Sequence, residues 1–426
     1  MINTLLLIII IAIGIIIKSS QQIEIFNNAT YALGLIMLAG YISGDLVKKI
    51  KLPSITGSIL AGILVGPFGL ELISIKNVDD LQLLNGLALS IIALTAGGEI
   101  KLAGFKKNLK TINYILLFQT LIILVGITFV IIIFKDFFPF ISNLGIQSIV
   151  AAGLLVAIIS TASSPSTTLA VIVETKKRDR YTELILSIVM LKDVIILFLF
   201  CIGLNIAKIL TKSNMINKNI VFNTFFEISG SLISGIVIGF IIVVYLKFIK
   251  KDRIVFILAL SFFSFEIFEP LHLHTLLIMM IAGFVVENFS SEGDSLMKTL
   301  ELISPPVYII FFTLTGAAIN LKYFKSLWLL TIIIVLFRAL FKYVGTYIGS
   351  AFAREEKIVK KHLWISFLSQ AGLSLGMAKI IENNFSFFGE NLAVLIISVI
   401  VVNQIIGPPL LKLFLDKPKE PDIKDP

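Results

Sequence analysis

About fourteen apolar runs follow one another along this 426-residue chain, joined by short polar connections, and each approaches the length needed to cross a hydrocarbon core of about 30 Å. They fall at 3–18, 30–46, 53–70, 82–99, 111–134, 145–173, 184–207, 226–249, 253–268, 271–286, 304–320, 326–351, 362–381 and 390–414. A backbone in lipid must satisfy its own polar groups, and runs of this length do so as helices. The sequence therefore predicts an all-α integral membrane protein with about 13–14 transmembrane helices. Composition points the same way: 57% hydrophobic, 15% charged and a mean hydropathy of +0.99 leave too little polar surface to face water. The first run ends in Lys18-Ser19-Ser20, as a signal peptide can, but it lacks a basic start. Residues 1–29 are read as an extra N-terminal helix.

The formal net charge is +9, which could suggest a nucleic-acid partner. The basic residues instead gather in short loops without aromatic interleaving, so the expected partner is the lipid bilayer and no nucleic acid. With the N-terminus inside and every span real, the cytoplasmic side carries about 24 basic residues and the outer side about 8; shifting the parity by one helix inverts this bias. The reading is a multi-pass protein of the cell inner (cytoplasmic) membrane with both termini cytoplasmic. Cys201 is the one cysteine and lies in an apolar run, so no disulfide is expected. No nucleotide or metal-ligand motif occurs and no cofactor is expected; His272 and His274 form a lone HxH read as structural. After Leu415 only a short tail follows, and the whole is read as a single membrane transport domain rather than an enzyme.

Two runs are interrupted. In the sixth, Ser160 to Thr167 holds six hydroxyls and Pro165 within eight residues. Proline donates no backbone hydrogen bond and turns the residue before it away from helical angles. Irregular backbone at membrane depth survives only inside protein or beside a water-filled cavity. In the thirteenth run, Ser369, Gln370, Gly372, Ser374 and Gly376 form a polar, glycine-rich middle between apolar halves. Each interrupted run is followed by a helix with polar residues at mid-span: Lys192-Asp193 after the first, Asn403-Gln404 after the second. Paired interruptions in corresponding halves are the sequence sign of a transport site.

Lys192 and Asp193 stand at the middle of LILSIVMLKDVIILFLF. A charge at mid-bilayer costs about 2.5–3.5 kcal/mol on insertion scales, so this chain uses at least one of the pair. A carboxylate there can bind a proton or a small cation. Arg338 and Lys342 share a face at i,i+4 spacing; Arg338 lies deeper and is expected to meet a carboxylate or the C-terminus of a broken helix. Glu99, at the end of the fourth run, is a candidate for the ion entrance or a helix cap, and Glu266 and Glu269 are placed on an external turn. Gly62-x-x-x-Gly66, Gly235-x-x-x-Gly239 and Gly345-x-x-x-Gly349 are read as packing faces.

Taken in order, LPSITGSILAGILVGPFGL (52–70), GGEIKL (97–102), STASSPSTTLAVIVETK (160–176), LKDV (191–194), FFTLTGAAINL (311–321), RALFKYVG (338–345), QAGLSLG (370–376) and NQIIGPPLLK (403–412) resemble the monovalent cation/proton antiporter superfamily. The likeness is to its bacterial sodium/proton and Kef-type exchangers and covers about residues 30–415. It implies two inverted repeats, 30–207 and 251–415, joined by a linker helix region at 208–250, with two crossing discontinuous helices. It also implies a core of about 111–207 and 326–415 that moves like an elevator against dimerisation helices at about 30–99 and 253–320, in a homodimer. By position, Asp193 matches the family's ion-binding aspartate. Ser163 and Ser164 stand where relatives often have Thr-Asp, and Lys192 where electrogenic members have Asp and many electroneutral ones Asn. Arg338 or Lys342 matches the family's basic residue. The nucleotide-sensing domain of Kef-type members has no counterpart in residues 416–426.

The resulting expectation is a secondary transporter exchanging a monovalent cation, Na+ first and K+ or Li+ next, for protons. Asp193 is the shared site for proton and metal ion, and hydroxyls of Ser160, Thr161, Ser163 and Ser164 with nearby carbonyls complete an oxygen shell. Lys192, Arg338 and Lys342 support the charge, and Ser369, Gln370 and Asn403 line the second break. One carboxylate implies one proton per cation, an electroneutral exchange. Two rivals are a Na+-coupled organic-anion carrier of similar inverted-repeat fold and a passive cation channel.

Overall fold

The computed structural model describes residues 2–19, 28–176, 179–211, 220–268, 270–271, 273–319, 321–370 and 372–416. Lys177, Arg178, Glu269, His272, Asn320, Ala371 and the tail after Asp416 lie outside the described residues. Within them the chain forms α-helices and no strand. In order these are α1 (Ile2–Ser19), α2 (Ala29–Lys48), α3 (Ser54–Val65), α4 (Ile75–Asp80), α5 (Gln82–Gly98), α6 (Leu102–Ile133), α7 (Ile146–Thr161), α8 (Pro165–Thr175) and α9 (Arg180–Leu210). There follow α10 (Ile220–Val244), α11 (Arg253–Phe268), α12 (Thr275–Phe289), α13 (Gly293–Ala317), α14 (Leu321–Phe352), α15 (Lys357–His362), α16 (Gly372–Asn384) and α17 (Gly389–Asp416).

Each apolar run of the sequence contains helix, but the helices differ in length. Among the described residues, eight helical stretches are long and apolar enough to cross a bilayer, the interrupted α7–α8 stretch counted as one; α3, α5 and α12 are shorter, at 12, 17 and 15 residues. The short ones can be short because protein surrounds them: Ile55 to Ser58, Ile59, Ala61, Gly62 and Val65 of α3 are all buried. Long helices instead turn apolar faces outward, as at Val125, Phe129 and Phe226, which are 69%, 60% and 69% exposed. Apolar exposure on that scale is a lipid-facing surface.

One boundary differs from the sequence reading. The run expected to begin at 304 belongs to α13, which starts at Gly293 and carries Pro305 and Pro306 inside it. The two prolines mimic a helix start; neighbouring helices and local adjustment make up for the backbone bonds they remove. The three small-residue spacings lie at helix crossings, against Thr313, Ile278 and Gln119 respectively.

Two sets of contacts organise the helices. α6 packs along α14, α7 and α9, and α17 packs on α14, α16 and α8. Separately, α3 packs on α2 and α13, while α5 packs on α12, α13 and α11, with α10 on α12. Between the sets, α8 touches α5 and α3, and α9 touches α10.

Candidate functional site

The first interruption follows directly from its residues. α7 ends at Thr161, Ala162 and Ser164 are extended, and Pro165 restarts the chain as the first residue of α8. Pro165 suits that place because its fixed φ and missing N–H cost nothing in a first turn. Ser164 caps the new helix, its Oγ accepting from the Thr167 N–H at 3.2 Å. The second interruption runs from a 3₁₀ turn at Leu363–Phe367 through non-helical Leu368–Gln370 to α16. The two breaks meet. Ser164 N–H donates to the Ser369 carbonyl at 2.8 Å, and Gln370 Nε2 to the Ile159 carbonyl at 2.8 Å. Asn403 of α17 fixes Gln370 by donating to its Oε1 at 3.0 Å.

Broken helices leave carbonyls without partners, and α14 supplies cations for them. Arg338 is fully buried and donates to the carbonyls of Ser160 (2.9 Å), Ala162 (2.7 Å) and Leu368 (2.8 Å). Lys342 is equally buried and donates to Phe367 O (2.6 Å), Ala162 O (2.8 Å) and Ser163 Oγ (3.0 Å). These carbonyls close the C-terminal ends of α7 and of the 3₁₀ turn, where the partial negative charge of a helix gathers. Both basic residues thus meet the broken-helix end anticipated for Arg338, and neither meets a carboxylate there.

Lys192 is also turned away from its neighbour. Its Nζ donates to Gln119 Oε1 of α6, lies 3.4 Å from Ser163 Oγ and sits 4.4 Å from the centroid of the Phe367 ring. Asp193 is 8% exposed and lines a cavity of about 550 Å³ with Ser163, Ser164, Ser166 and Ser374. Its carboxylate forms no hydrogen bond or close ion pair among the described residues. Glu227 of α10 and His274, whose Nε2 is 3.9 Å from Glu227 Oε2, line the same cavity.

Among the residues named from the sequence, Ser163, Ser164 and Asp193 share this cavity. Ser160 and Thr161 take part through their carbonyls, and the Thr161 hydroxyl turns back to Ile158 O at 2.6 Å. Ser369 and Gln370 hold the crossing together. Glu99 lines a second cavity, of about 840 Å³, with Asp45, Lys48, Glu174, Glu301 and Tyr308. The two cavities reach opposite ends of α8, the first at Pro165 and Ser166, the second at Val173 and Glu174. Beside the second, both Glu174 carboxylate oxygens accept from the Ser54 N–H (3.0 and 2.8 Å), one also from Ser54 Oγ at 2.5 Å, and Lys412 Nζ lies 3.6 Å away. Sequence reasoning did not single out Gln119, Phe367, Glu174 or Glu227. For Gln119 a signal existed: one amide in the long apolar run YILLFQTLIILVG.

The sequence model of the transmembrane sodium/hydrogen exchanger family matches residues 33–417. The chain belongs to that family. A sodium/hydrogen exchanger is a transporter, not an enzyme, and exchange of cations for protons is the activity class of this one. It is similar to a "Probable Na(+)/H(+) antiporter 3" of Methanocaldococcus jannaschii, 24% identical over 393 residues, which cover 90% of this chain and 95% of that one. Two solved structures of the sodium proton antiporter MjNhaP1, from the same organism, share its fold. One, at pH 8, has a TM-score of 0.66 at 17% identity, covering 91% of this exchanger and 99% of MjNhaP1. The other has a TM-score of 0.70 at 16% identity, covering 92% and 99%.

Proposed function

We propose that this exchanger moves one monovalent cation against one proton, with the Asp193 carboxylate as the group for which both compete. One observation carries the reading. Three buried cationic side chains surround the breaks, yet each is held by neutral oxygens, and the carboxylate is left at a mainly apolar cavity whose wall also carries Ser163, Ser164, Ser166 and Ser374. A hard cation seeks oxygen ligands; Asp193 with Ser163, Ser164 and Ser166 offers them. Na+ is the first candidate, since the relatives are described as Na+/H+ antiporters. Swapping one proton for one Na+ on one carboxylate moves no net charge, so the exchange is electroneutral.

Helix packing supports motion of α6–α9 with α14–α17 as a core against α2–α5 and α10–α13, an elevator in a homodimer. The lysine-rich loops support an inner-membrane protein with both termini cytoplasmic. The test is proton movement, read by a pH-sensitive dye in proteoliposomes on adding Na+, K+ or Li+. Asp193→Asn is expected to abolish it while the protein stays folded and monodisperse, and an imposed membrane voltage is expected to leave the rate unchanged. An active Asn variant overturns the site. Voltage-dependent exchange overturns the stoichiometry, and cation flux without proton movement favours a channel.

A further inference from the structure

Lys192 and Asp193 are neighbours in sequence, yet the carboxylate lines the cavity and the ammonium is taken by Gln119. Gln119 is fully buried on α6. Its amide is oriented by Nε2, which donates to Thr346 Oγ1 at 2.6 Å and reaches the Lys342 carbonyl at 3.5 Å. Oε1 is thereby the atom presented to Lys192. Helix α14 comes this close because position 345 has no side chain: a Cβ on Gly345 would stand 2.5 Å from Gln119 Cα. Ser163, whose Oγ is 3.4 Å from Lys192 Nζ, also lines the Asp193 cavity. One residue therefore touches both the ammonium and the space where a cation would meet Asp193.

We propose that Gln119 is a positioning residue for the exchange: it holds the Lys192 ammonium off Asp193 and so keeps that carboxylate open to cations. This rests on Asp193 being the shared site. An ammonium on a flexible four-carbon stem is itself a monovalent cation. Without its amide acceptor it keeps only Ser163 and the Phe367 ring, and a buried donor left short of acceptors is costly. The Asp193 carboxylate is then the strongest acceptor within reach, because ionised acceptors make the stronger hydrogen bonds. Lys192 becomes an internal competitor, and more Na+ is needed to occupy the site.

The experiment uses the full chain in proteoliposomes, with Na+ as the probe and proton movement as the readout. Gln119→Leu is expected to raise the apparent KM for Na+ about tenfold, the size of one hydrogen bond to a charged group, with the maximal rate held within about twofold. Adding Lys192→Met to Gln119→Leu is expected to return the KM to that of Lys192→Met alone, and Gln119→Glu, which still accepts from Lys192, to restore it. An unchanged KM in Gln119→Leu overturns the proposal, and so does a double variant that keeps the raised KM. Should Gln119→Leu fail to fold, Thr346→Val loosens the same amide and is expected to raise the KM; an unchanged value there also overturns it. Asp193→Asn, run alongside, separates the two layers. Its activity would remove the site itself, whereas an inactive Asn variant beside an unmoved Gln119→Leu KM removes only the role of Gln119.

Discussion

The two interruptions look alike in sequence and do different work in space. The first, around Ser163 and Ser164, places three serines (Ser163, Ser164 and Ser166) on the wall of the cavity that Asp193 lines. The second, from Leu363 to Gln370, gives mainly carbonyls: Phe367 and Leu368 to the cations of α14, and Ser369 to the N–H of Ser164. Its side chains look inward too, with Gln370 between Ile159 and Asn403. The first break supplies most of the serines beside Asp193, the second adds Ser374 and otherwise braces the crossing. The lesson is that paired discontinuous helices need not contribute equally to a site.

Substitutions can break or sharpen this contrast. The largest effect is expected at the joint between the breaks. Arg338→Ala strips the Ser160 and Leu368 carbonyls of their donor at once and leaves the Ala162 carbonyl to Lys342 alone. Unpaired buried groups cost about 1–3 kcal/mol each, so thermal unfolding in detergent should show a loss of at least about 2 kcal/mol. A near-native melting profile would sink the bracing role. Next comes Gly407→Val, whose Cβ would stand 2.9 Å from both the Cα and the N of Ser369. Overpacking of this kind costs about 1–3 kcal/mol, and the loss should appear as a lowered melting temperature before any change in Na+ affinity. Ser164→Ala removes a helix cap worth about 1 kcal/mol and a cavity hydroxyl together. Here the apparent KM for Na+ should rise, and by more than in Ser369→Ala; equal shifts would erase the contrast between the breaks. The smallest effect on Na+ affinity is expected from Ser54→Ala, which removes one of the hydrogen bonds to Glu174 and leaves the backbone N–H in place.

Much of this architecture could be read from residues alone. Pro165 inside a hydroxyl-rich apolar run announces a break, since a proline cannot continue the hydrogen-bond ladder. A Lys-Asp pair inside an apolar helix announces function through its cost. The depth of Arg338 suggested either a carboxylate or a broken-helix end as its partner, and it sits at the second of these. What stayed hidden were partners without a signature. A backbone carbonyl such as Phe367 O exists at every residue, and only the tertiary crossing says which ones are left for Lys342. Gln119 stands 73 residues before Lys192, so nothing local ties the amide to the ammonium. The start of α13 was obscured because Pro305-Pro306 imitates a helix beginning.

Glu174 stands at the C-terminal end of α8. Pro53, preceding α3, provides no side-chain cap, so the first N–H of α3 is satisfied by a carboxylate borrowed from another helix. If α8 travels with the core in each cycle, this contact must open and re-form every time. It then contributes to the height of the barrier between the two end positions and not to how tightly either one holds its ion. Its signature is kinetic: weakening it should change the turnover number, with the half-saturating Na+ concentration moving only as far as the balance between the two end positions moves.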